Sequence, residues 1–218
     1  MFKTEMHCHS THVSTCARAD ADCIIEKYLE AGYTTIVSTE HIDIWSFRHM
    51  EDASWQDKVS HYMKGYRALT EAAKGRIHIL FGAEITLHPN DYLIYGLTEG
   101  FLRSIDDPLL LHGLEELSPL IRGNNMMLFQ AHPFRVGMRI SNPALLDGIE
   151  IINFSPLNSH NSIAQAWAAE NGLPGITGTD FHNPDHTPRG GIMTEYPITD
   201  NETLLKTLRE KTYTPIMR

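Results

Sequence analysis

No apolar run in this sequence approaches the roughly 20 residues needed to cross a bilayer. The opening MFKTEMHCHS also lacks the basic-then-apolar layout of a secretion signal, so a cytoplasmic chain with no membrane attachment is expected. Cysteine is scarce: Cys8, Cys16 and Cys23 are odd in number and show no C-x-x-C spacing. That argues against a zinc knuckle or a disulfide framework and fits a reducing compartment. Runs of Lys and Arg are missing as well. With 27 acidic against 18 basic residues and a net charge of −9, the chain has no basic footprint, and polynucleotides are not expected partners. Neither a repeat of about 20 to 50 residues nor a Pro/Gly/Ser-rich linker divides it. Its 218 residues, 42% of them hydrophobic, are therefore read as one domain over 1–218 with a sizeable core. Composition says nothing of oligomeric state.

What is present is an alternation of short apolar segments with amphipathic ones, the mark of βα units around a largely parallel sheet. The spacing predicts strands over Phe2–Cys8, Thr34–Thr39, Ile77–Ile85, Tyr92–Tyr95, Met126–Ala131, Gly148–Ile152, Gly175–Thr179 and Tyr213–Met217. Helices are predicted over Asp22–Ala31, Ser54–Lys74 and Ser162–Asn171, each followed by a glycine suited to a helix end. A last helix is expected to open on a capping box in which Thr199 and Glu202 satisfy each other's free amides.

The chemistry lies at the predicted strand ends. In His7-Cys8-His9 two imidazoles project from one face of a strand and can grip one ion, while Cys8 turns to the other face and into packing. A lone H-x-H is weak evidence, and ordinary polar residues at a strand end would look the same. The other strand ends, however, carry Glu40-His41, Glu84, His132 and Asp180-Phe181-His182. Residues at the C-terminal ends of barrel strands converge in one cavity. Imidazole suits zinc, iron and manganese, and a carboxylate such as Glu84 can bridge two cations, so two or three divalent ions are implied.

Taken in order, HCH, STEH, GAE, QAHP and GTDFH resemble the motifs of the PHP (polymerase and histidinol phosphatase) family, from His7 to His182. The resemblance implies an α/β fold, a distorted (β/α)7 TIM-like barrel, and a metal-dependent phosphoesterase. It carries over His7, His9, Glu84, His132, Asp180 and His182 as metal ligands, with His41 beside them and Glu84 as the bridge. Two positions depart from the family. Glu40 stands where Asp is frequent, and Asp91 stands where a ligand His is common. Asp91 is favoured as a carboxylate ligand, with His88 reaching in, or a weakly held ion, as alternatives.

Arg135 directly follows the His132-Pro133-Phe134 segment, Arg18 lies in the loop after H-x-H, and Arg189 follows the D-x-H segment. Guanidinium forks beside metals suit a phosphate, so these three, with His160 near Asn153, are the candidate substrate-binding residues. Arg135 and Glu40 are also the candidate catalytic residues, Glu40 either orienting His41 or handling the proton of the attacking water. The expected reaction is hydrolysis of a small-molecule phosphate ester by metal-activated water. One rival is an amidohydrolase-like C–N hydrolase, whose barrels also open on H-x-H but normally bring a strand Lys and lack the GAE glutamate. The other is a metal-binding regulatory module without turnover.

Overall fold

The computed structural model describes residues 1–155 and 160–217. Its strands are β1 (Phe2–Cys8), β2 (Thr35–Ser38), β3 (His41–Ile42), β4 (His78–Phe81), β5 (Ala83–Leu87), β6 (Asn90–Tyr95), β7 (Met127–Gln130), β8 (Gly148–Asn153), β9 (Gly175–Gly178), β10 (Ile192–Thr194) and β11 (Thr214–Pro215). The α-helices are α1 (Ala21–Glu30), α2 (Trp55–Ala73), α3 (Glu99–Ser104), α4 (Leu114–Arg122), α5 (Asn161–Asn171) and α6 (Asn201–Glu210). No helix among the described residues is long and apolar enough to cross a membrane.

Main-chain pairing arranges the strands in two sheets, β11-β10-β1-β2-β4 and β3-β5-β6-β7-β8-β9. This is a mixed α/β fold, and main-chain pairing does not close the expected distorted (β/α)7 barrel. The expectation of a largely parallel sheet also needs correction: β5 to β6, β6 to β7, β1 to β10 and β10 to β11 are all antiparallel. The predicted strand Ile77–Ile85 is two strands, one in each sheet, divided at Gly82. A Cβ at Gly82 would stand 2.8 Å from Val37 Cγ1 and 2.9 Å from the Ile94 carbonyl. Only a residue without a side chain lets the chain pass that close from one sheet to the other.

The sheets meet again at the ends of β1 and β9. Cys8 bridges Phe181, and His9 N–H donates to the Phe181 carbonyl at 3.0 Å. The β1–β2 register shifts between Glu5 and Cys8, which leaves main-chain donors without a ladder partner. The buried Glu5 carboxylate accepts from the N–H groups of Met6, His7 and Thr179, each at 2.9 Å, and from the Tyr28 hydroxyl at 2.7 Å. One acidic side chain thus closes the bulge and ties β1 to the end of β9, and burial raises its pKa.

Alternation along the strands sorts the core. Leu93, Tyr95, Met127 and Phe129 join Met6, Val37, Leu80 and Ile176 in a cluster drawn from both sheets. The intervening Tyr92, Ile94 and Leu128 pack instead with Val59, Leu117 and Ala164 of the surrounding helices. Cys8 is fully buried beside Ile24 and Tyr28, on the side away from its neighbouring histidines.

Helices α3 and α4 escape the sequence pattern for physical reasons. The first is only six residues long, and the second carries Pro119 inside it and starts at Gly113 without a side-chain cap. The capping box also needs correction: the N-cap of α6 is Asp200, whose carboxylate accepts from Thr203 N–H at 2.7 Å, while the Thr199 hydroxyl turns to Asp200. Asp200→Ala is expected to lower stability by about 1 kcal/mol, and Thr199→Ala by less than half of that. Equal losses in chemical denaturation would return the cap to Thr199.

Candidate metal centre

The ends of β1, β3, β5, β7 and β9 bring His7, His9, His41, Glu84, His132, Asp180 and His182 together. His41 and Glu84 are direct cross-strand partners in the β3–β5 pair. His7 Nε2, His9 Nε2 and His41 Nδ1 lie 3.2, 3.3 and 3.1 Å from the same oxygen, Glu84 Oε2. His132 Nε2 lies 2.9 Å from the other oxygen, Oε1. Asp180 Oδ1 is 3.5 Å from His7 Nε2 and 3.4 Å from His9 Nε2. Despite these distances, His7 Nε2, His9 Nε2, His41 Nδ1 and Glu84 Oε2 are buried with no hydrogen-bond partner. Buried polar atoms are rarely left so. The donors point at one another's acceptor without hydrogen-bond alignment, which is what nitrogen and oxygen lone pairs do around a cation, so the residues present fit a divalent-metal site.

The opposite ring nitrogens are held in place. His7 Nδ1 donates to Glu150 Oε1 at 3.0 Å. Glu150 Oε2 accepts from His132 N–H at 2.9 Å and from Asn153 Nδ2 at 2.8 Å. The Ser14 hydroxyl receives His9 Nδ1 at 3.3 Å and His41 N–H at 3.1 Å, and donates to Glu40 Oε2 at 2.5 Å. One donor and two acceptor sites use the full capacity of a hydroxyl. His182 Nδ1 donates to the Asp180 carbonyl at 2.9 Å. Engaging Nδ1 fixes the tautomer that leaves Nε2 as a lone pair for an ion.

Glycine again permits the approach: a Cβ at Gly178 would fall 2.2 Å from Glu150 Oε1 and 2.5 Å from His7 Cβ. His132 and Asp180 adopt φ of 26° and 52°, a costly backbone for non-glycine residues that turns both side chains back over the strand ends.

Charge follows geometry. Burial opposes ionisation of Glu84, but the imidazoles of His7 and His41 outweigh it and hold its pKa well below the carboxylate range. Burial likewise opposes a charge on His182, and the contacts with Asp180 and Cys16 push its pKa up to about 11. Asp91 is raised to about 6, mainly by burial and then by Glu84.

Asp91 Oδ2 lies 3.8 Å from His132 Nε2, and its other oxygen accepts from Thr86 at 2.6 Å. His88 is exposed and does not reach the cluster. Arg135 Nη2 donates to Asp180 Oδ2 at 2.6 Å, and its Nε is buried without a partner. Glu40 is buried behind the cluster, bound by the Ser10 N–H and hydroxyl and by Ser14; it reaches His9 and His41 only through Ser14. Arg18 is exposed and spends its guanidinium on the carbonyls of Thr15 and Ala17. Arg189 is exposed and stacks 4.9 Å over Phe154. His160 is exposed at the start of α5. None of Arg18, Arg189 or His160 lines the cavity of about 390 Å³ over the cluster, whose walls include Cys16, His41, Arg135, Asp180, His182 and His186.

Sequence reasoning missed Glu150, Ser14, Asn153, Cys16 and His186. Glu150 had a signal, an acidic residue inside the apolar strand GIEIIN; the others sit in loops or at strand ends with no pattern of their own. Glu150→Gln is expected to weaken divalent-metal binding about 10- to 100-fold by loosening His7, with unchanged far-ultraviolet circular dichroism. Undiminished affinity in a metal titration would remove Glu150 from the site.

No curated protein sequence matches the chain. A family model described as PHP-associated matches residues 158–213, which include Asp180 and His182. Among solved structures, the chain is similar to a two-domain protein from Bacteroides vulgatus containing a predicted PHP-like metal-dependent phosphoesterase, at 16% identity and TM-score 0.72, over 98% of this chain and 64% of that one. It is similar to PsfC from Pseudomonas syringae at 16% identity and TM-score 0.69, over 94% and 87% of the two chains. It also resembles an amidohydrolase from Chromobacterium violaceum with bound sulfate and no metal, at 14% identity and TM-score 0.56, over 99% and 98%. The chain thus spans 64% of the length of the Bacteroides protein. A PHP-associated segment is present, on a fold shared with PHP-like metal-dependent phosphoesterases.

Proposed function

We propose that this chain is a metal-dependent phosphoesterase that hydrolyses a small-molecule phosphate ester. The observation that carries the reading is the set of buried, unpartnered ring nitrogens around Glu84 Oε2 beneath a cavity walled by Arg135. The reading takes the two sheets as one distorted seven-stranded barrel, divided where the chain crosses Gly82 and joined where β1 meets the end of β9.

The residues that would hold two or three ions of zinc, manganese or iron are His7, His9 and Asp180; Glu84, His132 and Asp91; and His41 with His182. Divalent ions there would supply Lewis acidity and bring the pKa of a water near neutrality. Glu84, whose two oxygens face four imidazoles, would help hold neighbouring ions and offset their repulsion. Arg135 is the residue for the phosphate: its guanidinium is anchored on Asp180 through Nη2 and stands on the cavity wall. Glu40 has its carboxylate occupied by Ser10 and Ser14, so we assign it to positioning His9 and not to carrying a proton. A cavity of about 390 Å³ fits a small substrate.

The likeness to the Chromobacterium amidohydrolase favours C–N hydrolysis as the second reading. A panel of phosphomonoesters, phosphodiesters and amides, assayed with manganese, zinc or iron and with chelator, separates the two. Phosphate-ester turnover that chelator abolishes is expected; turnover of amides alone would move the chain to the rival class, and bound metal with no turnover would make it a binding module. Arg135→Ala is expected to lower kcat/KM for the best phosphate ester about 10- to 100-fold at unchanged metal content. Unaltered kinetic constants would take Arg135 out of substrate binding.

A further inference from the structure

Three groupings of side chains have ligand atoms close enough to hold one ion each: His7, His9 and Asp180; His7, Glu84 and His132; and His9, His41 and His182. They overlap. His7 and His9 each occur twice, yet each has only Nε2 to give, because Nδ1 is engaged by Glu150 in one case and by Ser14 in the other. If His7 and His9, at the end of β1, share one ion with Asp180, Glu84 and His132 still have Asp91 at hand. The pair His41 and His182 is left a ligand short.

Cys16 stands beside that pair. Its Sγ lies 3.1 Å from His182 Nε2, and it stands on the same cavity wall as His41 and His182. The loop that carries it is pinned beside His182, since the N–H groups of Arg18 and Ala19 both donate to the His182 carbonyl, at 2.6 and 3.1 Å. His182 Nδ1 is held by the Asp180 carbonyl, which turns Nε2 towards the thiol. One further atom of the pair points to a ligand: His41 Nδ1 is buried and lacks a hydrogen-bond partner. The other cysteines are elsewhere, Cys8 in the core and Cys23 on α1.

We propose that Cys16, His41 and His182 hold a thiophilic divalent cation, zinc foremost, with its remaining position open to the cavity. The proposal rests on the metal-centre reading given above. Thiolate with imidazole selects zinc over manganese or magnesium, and Cys16 gives up its thiol proton as it binds. Three protein ligands with a free fourth position is the pattern of ions that take up a water or a substrate group. The site would therefore be part of the working centre, and this chain's choice of a cysteine would bias one of its ions towards zinc.

Cobalt loading of the full chain tests this. Cobalt-loaded wild-type protein should show thiolate-to-cobalt charge-transfer absorption in the near ultraviolet. Cys16→Ser should lose that absorption and bind about one ion fewer per chain, while Cys23→Ser should keep both. In unsubstituted protein, cobalt should slow alkylation at Cys16, read by mass spectrometry, about tenfold or more. Stoichiometric cobalt binding without the charge-transfer band, a band that survives in Cys16→Ser, or alkylation unaffected by cobalt would each overturn the thiolate ligand and leave the metal centre standing. A chain that takes up no cobalt would overturn both.

Discussion

Everything at the strand ends depends on one electrostatic arrangement, the meeting of three imidazole nitrogens at a single buried oxygen, Glu84 Oε2. Burying a carboxylate oxygen and three ring nitrogens without hydrogen bonds costs free energy that a compact chain does not normally concede. Within the chain alone the opposition is only partly relieved: the rings hold Glu84 ionised, and Glu84 with Asp180 in turn draws the pKa of His7 upward against burial. A divalent cation among these atoms would satisfy all of them at once. The surrounding bonds make sense on the same terms, because Glu150, Ser14 and the Asp180 carbonyl each take the ring nitrogen that faces away from the centre.

The fold is shaped to bring those groups together. The two sheets meet where β1 ends, and the seam is fastened by backbone bonds at Cys8, His9 and Phe181 and by the Glu5 carboxylate. Glycine at 178 lets Glu150 and His7 approach β9, and the strained backbone at His132 and Asp180 turns these side chains inward. Such strain persists only where neighbouring contacts over-determine it, and Glu150, Asn153 and Arg135 supply those contacts.

Much of this was legible beforehand, and the reason is periodicity and residue type. The strand Phe2–Cys8 and the clustering of His7, His9, Glu84, His132, Asp180 and His182 could be read because strand ends and metal-binding residue types each leave a local mark. Gly82 inside an apolar run gave no sign that the run serves two sheets, since pairing partners are chosen by tertiary packing. Arg18, Arg189 and His160 were named by proximity in sequence to the motifs, but loop conformation sends each to the surface. Glu5 and Ser14 act through contacts with distant strands, which no single-sequence pattern encodes, and Glu150 is marked only as an acidic residue inside an apolar strand. Cys16 was read with the other cysteines as a scarce residue, and its place beside His182 follows only from the way the loop after β1 is tied to the end of β9.

Anomalous diffraction from crystals grown with zinc or manganese is the most direct measurement of the central claim. The account predicts strong peaks bounded by Glu84 Oε2 and the Nε2 atoms of His7 and His9, with Asp180 and His132 in their coordination shells. Crystals saturated with either metal that show no peak within bonding distance of His7, His9 and Glu84 would contradict it.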